Sequence, residues 1–233
     1  MKSGLDRIIV ALDQMSLEEI DAFLKQKDNT LPFVKIGLEL FIKHGPDLVH
    51  RIHNEYKKKI FLDLKLHDIP VTVAKAISSL KGLPIDFLTV HLSGGEAMLK
   101  AAVAEARVSI PDCKLLGVSF LTSLEATDLE ELFGIEDTDE AFLRLFKVAS
   151  ISGIDGVVSS PLEVSLLKKH FPNLLSVTPG IRFRDEIEFN VVQDQKRVMD
   201  PAEAFDEGSD YLVMGRSLTK TDRFSERIES LKK

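Results

Sequence analysis

The chain has 233 residues, with 30 Lys and Arg against 37 Asp and Glu, a formal net charge of −7. That balance opposes broad attraction to nucleic acid or to an anionic membrane, so an anionic ligand would have to meet a local cluster of positive charge. Cys113 is the single cysteine, which excludes an intrachain disulfide and fits a reducing, cytoplasmic setting.

With 44% hydrophobic and 29% charged residues, the composition suits one globular domain with a sizeable core. No uncharged apolar run approaches the roughly 18 residues that a membrane span needs. The first residues lack the apolar stretch and small-residue cleavage site of a secretory leader. A cytoplasmic location without membrane partners is the expectation.

Short β-branched apolar runs alternate with longer stretches of helical period from end to end, a rhythm that argues for βα units around a parallel sheet. The first strand is expected over residues 7–13. Ser16-Leu17-Glu18-Glu19 then reads as a capping box opening a helix to about residue 25. Strands follow over 33–37, 59–66, 87–92 and 115–120, with a helix over 96–107. The interval 122–152 is the longest; its acidic part, 125–140, precedes an amphipathic stretch at 142–149, and two helices fit there. Strands over 156–159, 175–177 and 211–214 complete the set, with helices over 161–170 and 201–207 between them. Eight βα repeats in one domain over residues 1–233 point to a closed (β/α)8 TIM barrel rather than an open doubly wound sheet.

In such barrels the chemistry sits where strands end and βα loops begin. Those positions are Asp13, Lys35, Asp63 with Lys65 and Asp68, His91, Thr122, Ser159 with Ser160, the run Thr178-Pro179-Gly180-Ile181-Arg182, and Gly215-Arg216. Residues two apart on a strand share a face, so Asp63 and Lys65 project together while Leu62, Leu64 and Leu66 take the other side. Asp68 follows the strand, and Pro70 is expected to discourage a direct start of helix.

Carboxylates on either side of one ammonium, with Lys35 and Asp13 arriving from neighbouring strands, would give every charge an opposite neighbour. Such neighbours favour the ammonium form, and an ammonium can donate a proton. An isolated Asp-x-Lys is more often a rim salt bridge, but here several loops contribute. Gly215-Arg216 combines a backbone N–H with a guanidinium at the loop where barrels often bind phosphate, and Arg182 adds a second positive group.

Other polar residues carry less. His44, His50, His53 and His170 fall on helices or loops, and His67 and His91 lack a partner at metal-ligand spacing, so no metal site is expected. Cys113 has no base nearby and reads as a buried, inert thiol. Gly94-Gly95 suits a phosphate turn and a tight βα loop equally.

Taken together, these motifs resemble the orotidine 5'-phosphate decarboxylases of the bacterial type, over nearly the whole chain. The resemblance runs through Val10-Ala11-Leu12-Asp13, Val34-Lys35-Ile36-Gly37, Phe61-Leu62-Asp63-Leu64-Lys65-Leu66-His67-Asp68-Ile69-Pro70 and Val90-His91. It continues through Leu121-Thr122-Ser123, Val157-Val158-Ser159-Ser160-Pro161, Thr178-Pro179-Gly180-Ile181-Arg182, Asp194-Gln195-Lys196-Arg197-Val198 and Gly215-Arg216. It implies a cofactor-independent decarboxylase of pyrimidine biosynthesis with Lys65, Asp63, Lys35 and Asp68 as catalytic residues. Lys65 would protonate C6, Asp63 would face the substrate carboxylate, Lys35 would bridge ribose and charge network, and Asp13 would bind ribose. Ile69, Thr72, Thr122 and Pro179 join the binding set, while Arg182, Gln195, Gly215 and Arg216 hold the phosphate. Asp68 and Thr72 would reach the neighbouring subunit's site, implying a homodimer with shared active sites.

Val71 departs from the usual asparagine, Leu92-Ser93 from a common pair of alanines, and Ser217 from a frequent proline. The alternative is a magnesium-dependent sugar-phosphate decarboxylase or aldolase of the same superfamily. Those enzymes carry a metal-binding carboxylate near the second strand, where this chain has Lys35, whose charge would repel a cation.

Overall fold

The computed structural model describes residues 4–188 and 198–232. Eight parallel strands close on themselves in the order β1 to β8. The first half is β1 (Ile8–Ala11), α1 (Leu17–Leu24), β2 (Phe33–Gly37), α2 (Leu38–Tyr56), β3 (Lys59–Leu66), α3 (Pro70–Ser78), β4 (Phe87–His91) and α4 (Gly95–Ser109). The second half is β5 (Lys114–Val118), α5 (Ala126–Phe133), α6 (Thr138–Ser152), β6 (Gly156–Val158), α7 (Val164–His170), β7 (Leu175–Thr178), α8 (Arg184–Glu188), α9 (Pro201–Asp206), β8 (Tyr211–Met214), α10 (Arg216–Thr219) and α11 (Phe224–Ser230). Ile8↔Leu212 through Val10↔Met214 close the barrel between β1 and β8.

All eight expected strands form, and the interval 122–152 holds two helices. Ser16 caps α1 through the full capping box, its hydroxyl accepting from Glu19 N–H while the Glu19 carboxylate accepts from Ser16 N–H. Several boundaries move. β1 stops at Ala11, which leaves Asp13 in the loop, and β5 stops at Val118, which leaves Phe120 and Thr122 beyond the sheet. The stretch 161–170 divides into a 3-10 turn, Pro161–Glu163, and α7.

Pro70 corrects a further expectation, because helix α3 begins on it. Proline does hold the preceding residue extended, with Ile69 at φ −58° and ψ 152°. Its own fixed φ and missing N–H, however, suit the first helical position, where no intrahelical partner is required.

Two apolar layers result from the period of two. Residues such as Ile8, Val10, Ile36, Leu62, Leu88 and Val90 point outward and pack under the helices. The alternate residues fill the barrel: Ile9, Phe33, Phe61, Phe87, Leu116, Val177 and Tyr211 form an interior floor. Phe33 stacks on Phe87 at 5.4 Å between ring centroids, while Phe61 and Tyr211 meet Phe87 edge-on at 5.9 and 5.2 Å. One step further up the same faces the side chains turn polar, at Lys35, Asp63 and Thr89. The site therefore rests on a dry aromatic base.

Candidate active site

Four side chains from three consecutive βα units form a line of alternating charge at the barrel mouth. Lys35 Nζ donates to Asp13 Oδ2 at 2.6 Å and lies 3.4 Å from Asp63 Oδ2. Lys65 Nζ donates to the same Asp63 oxygen at 2.6 Å. Lys35 and Asp63 are only 9% and 7% exposed, whereas Lys65 and Asp13 reach toward the opening. Gly37 makes room for the line, since a Cβ there would collide with Asp13 Oδ1 and sit 3.3 Å from Lys35 Nζ.

Burial alone would push both central groups toward their neutral forms. For Lys35 the Asp63 and Asp13 carboxylates outweigh that cost and hold its pKa above the ordinary lysine value. For Asp63 the Lys35 and Lys65 ammoniums, with hydrogen bonds from Lys65 and Thr89, outweigh it and hold its carboxyl below the usual range. The pair stays ionised because each member supplies the other's counter-charge.

Strand β3 bends to bring Lys65 into this line. Leu62 pairs with Leu88 and Leu66 with Val90, so four steps along β3 match two along β4. Within the excursion Lys65 adopts φ +48°, a left-handed backbone costing a non-glycine residue about 1–2 kcal/mol. Asp63 and Lys65 share the interior side, as the spacing predicts, while Leu64 and Leu66 pack against the outer core. The backbone that achieves this is not a regular strand.

Beside the charges lies a cavity of about 300 Å³, a size suited to a small ligand. It is lined by Asp13, Lys35, Asp63 and Lys65 and by Pro179, Arg182, Gly215 and Arg216. Val118, Phe120, Val158 and Val213 supply an apolar wall, and Leu121 and Thr122 complete the lining from the loop after β5. Arg182 Nη1 donates to the Ile181 carbonyl at 3.1 Å and to Ser217 Oγ at 3.3 Å, giving the departure at Ser217 a function that proline could not supply. Arg227 donates to the Ser217 carbonyl, lies over the Phe183 ring and approaches Glu186 at 3.2 Å, tying α11 beneath the Arg182 loop.

The structure thus brings together Asp13, Lys35, Asp63, Lys65, Thr122, Pro179, Arg182, Gly215 and Arg216. It does not bring Asp68, Ile69 or Thr72 to the same cavity: they lie exposed where α3 begins, with Asp68 Oδ1 accepting from Ile69 N–H at 2.7 Å. Gln195 lies outside the described residues. Gly94-Gly95 serves a 3-10 turn leading into α4. His67 and His91 face each other at 5.3 Å, and burial, with the nearby His67 and Lys65 charges, pushes His91 below the ordinary histidine value. Cys113 is buried, which pushes its thiol up to about 12, in keeping with an inert thiol. Among the described residues no group of three or more His, Cys, Asp or Glu side chains could hold a metal ion, and no helix is long and apolar enough to cross a membrane.

Residues that sequence reasoning passed over include Gln14, Phe61 and the apolar wall, which line the cavity, and Thr89, which binds Asp63 from β4. A lone hydroxyl in the otherwise apolar run Phe87-Leu88-Thr89-Val90, on the face that points into the barrel, was the available signal.

Fold and site together define a (β/α)8-barrel enzyme whose charges face a cavity for a small molecule. Residues 6–231 match the family model described as orotidine 5'-phosphate decarboxylase / HUMPS family. The chain belongs to this family and is a carboxy-lyase. It is 45% identical over 216 residues to the orotidine 5'-phosphate decarboxylase of Staphylococcus saprophyticus, covering 92% of this chain and 91% of that one. It is 41% identical over 231 residues to the enzyme of that name from Bacillus mycoides, covering 97% and 95%. The crystal structure of the orotidine 5'-phosphate decarboxylase from Lactobacillus acidophilus superposes with a TM-score of 0.82 at 36% identity over 97% of both chains. That of an uncharacterized conserved protein from Geobacillus kaustophilus gives 0.80 at 34% identity, covering 97% of this chain and all of that one.

Proposed function

We propose that this enzyme converts orotidine 5'-phosphate to uridine 5'-phosphate, with no cofactor, by charge-assisted loss of CO2 and protonation of C6 by Lys65. The observation that carries the reading is the unbroken Asp13–Lys35–Asp63–Lys65 line, which shares one cavity with Arg182 and Arg216.

Breaking the C6–carboxylate bond leaves its electron pair in the plane of the pyrimidine ring, where the π-system cannot delocalise it. Stabilisation must then come from fixed charge, and the pair must be protonated promptly. Asp63 faces the departing carboxylate and raises the energy of the bound anion relative to the neutral CO2 that leaves. Lys65 holds a positive charge beside C6 and transfers its proton from Nζ. Lys35 and Asp13 engage the ribose and keep Asp63 oriented, and Thr122 lies near the base. Arg182, Arg216 and the Gly215 N–H receive the phosphate, with Gln195 as a further contact. Their binding energy can be used to align the reacting end, so a substrate without phosphate should lose rate as well as affinity.

Asp68 and Thr72 belong, on this reading, to the site of a second subunit in a homodimer. Their exposure, together with that of Ile69 (63%) and Val71 (55%) on the same turn, supports a surface covered by another copy of the chain. The alternative, a magnesium-dependent sugar-phosphate decarboxylase or aldolase, is opposed by the buried ammonium of Lys35, where a cation would be repelled. Adding purified protein to orotidine 5'-phosphate in buffer containing EDTA tests the choice: its absorbance should decay at an undiminished rate. No decay refutes the assignment, and decay only with magnesium favours the alternative.

A further inference from the structure

We infer that Thr89 is a positioning residue for the decarboxylation, its hydroxyl clamping the Asp63 carboxylate and the Lys65 backbone into one rigid unit. The inference rests on the proposed reaction and extends it to a residue that does not line the cavity.

The geometry is specific. Thr89 Oγ1 donates to Asp63 Oδ1 at 2.9 Å and accepts from Lys65 N–H at 2.8 Å. Its one proton and one of its lone pairs are thus both used, on two residues of the excursion in β3. Thr89 sits on β4 between Leu88 and Val90, the residues that pair with Leu62 and Leu66, so it stands opposite the stretch where the ladder is interrupted. The Lys65 N–H is turned by the left-handed backbone, and the threonine hydroxyl accepts it in place of a strand carbonyl.

The second bond fixes the plane of the carboxylate. Asp63 Oδ2 lies between the Lys35 and Lys65 ammoniums, and a carboxylate bound only through that oxygen could rotate about its Cβ–Cγ bond. Holding Oδ1 from β4 removes that freedom. Thr89 is fully buried, so water cannot replace its hydroxyl without rearrangement of the barrel interior. It controls both the orientation of the anion that faces the substrate carboxylate and the backbone from which the proton donor extends.

The test compares Thr89→Val, which keeps the shape and removes the hydroxyl, with Thr89→Ser, which keeps the hydroxyl. Thr89→Cys, a near-isostere of serine with a poor hydrogen-bonding group, substitutes for the valine variant if that fails to fold. Expected is a fall in kcat of roughly 10–100-fold for the valine or cysteine variant, the scale associated with displacing a reacting group by about 1 Å. KM for orotidine 5'-phosphate and affinity for uridine 5'-monophosphate should stay within about threefold, because the phosphate side is untouched, and serine should restore kcat to within about threefold of the parent. Unchanged kcat without the hydroxyl, equal loss in kcat and nucleotide affinity, or failure of serine to restore the rate would each overturn the inference. An unsubstituted enzyme that does not decarboxylate orotidine 5'-phosphate would instead overturn the proposed function.

Discussion

The two halves of the barrel mouth are built differently. On β1 to β4 the charges arise on the strands or immediately after them, and each is held by another: Asp13 by Lys35, Lys35 by Asp63, Asp63 by Lys65 and Thr89. On β5 to β8 the strand residues that line the cavity are Val118, Val158 and Val213, and the positive groups stand beyond the strands, Arg182 on the loop after β7 and Arg216 at the start of α10. On the proposed reading, the difference separates two tasks. A preorganised array must not relax when charge moves on the substrate, so it belongs on rigid strands. Groups that, on the proposed reading, recognise a remote phosphate can sit beyond the strands, where accommodation costs the chemistry less.

The sharpest way to break this division is Lys65→Ala, which removes both a positive charge and the proposed proton source. We expect kcat to fall by roughly 10⁴-fold or more while product binding stays measurable. Mixing it with Asp68→Ala after dissociation and reassociation should recover about a quarter of the parent activity, because sharing Asp68 across subunits leaves one of four statistical sites intact. No recovery would argue against the shared site.

Arg216→Ala probes the other half. Loss of a charge-assisted contact worth about 1.5–3 kcal/mol should raise KM by roughly 10–100-fold, with a smaller effect on kcat. A loss confined to kcat would place Arg216 with the reacting end and collapse the distinction.

The smallest effect concerns pH and the folded state. The Asp63 carboxyl is held below its ordinary value, so its stabilising contribution is present at neutral pH and is lost as pH falls below about 4, through the folded value. Lys35, held above its ordinary value, behaves oppositely: its contribution is present below about pH 10.4 and is lost as pH rises through the folded value. Unfolding free energy measured against pH should therefore decline more steeply below about pH 4 for the parent than for Asp63→Asn. Parallel curves would show that the array is not coupled to folding as its geometry implies.

Much of this was legible in the chain. β2, β3 and β8 appear with the boundaries their apolar runs suggested, and Asp63 and Lys65 share a side as the spacing predicts. What could not be read is what depends on the neighbouring strand. Alternation within β3 carries no information about its register against β4, so the left-handed backbone at Lys65 was invisible. Thr89 showed in the chain only as a lone hydroxyl in an apolar run, since the partners that give it meaning are 24 and 26 residues away. Pro70 was misread because one residue type can end a helix or begin one, and only its neighbours' backbone angles decide.

The two surplus residues in β3 have a consequence for how such a chain can change. An odd insertion would turn the rest of the strand inside out; an even one leaves Leu66 on the helix side, packed as before. Removing Leu64 and Lys65 together would bring β3 back into even step with β4 and keep Leu66 on the helix side, at the loss of the lysine on which the proposed reaction depends. The lysine proposed to carry the proton thus sits in the one stretch that sets β3 out of step with its neighbour, while the helix-side packing of Leu66 follows from parity alone.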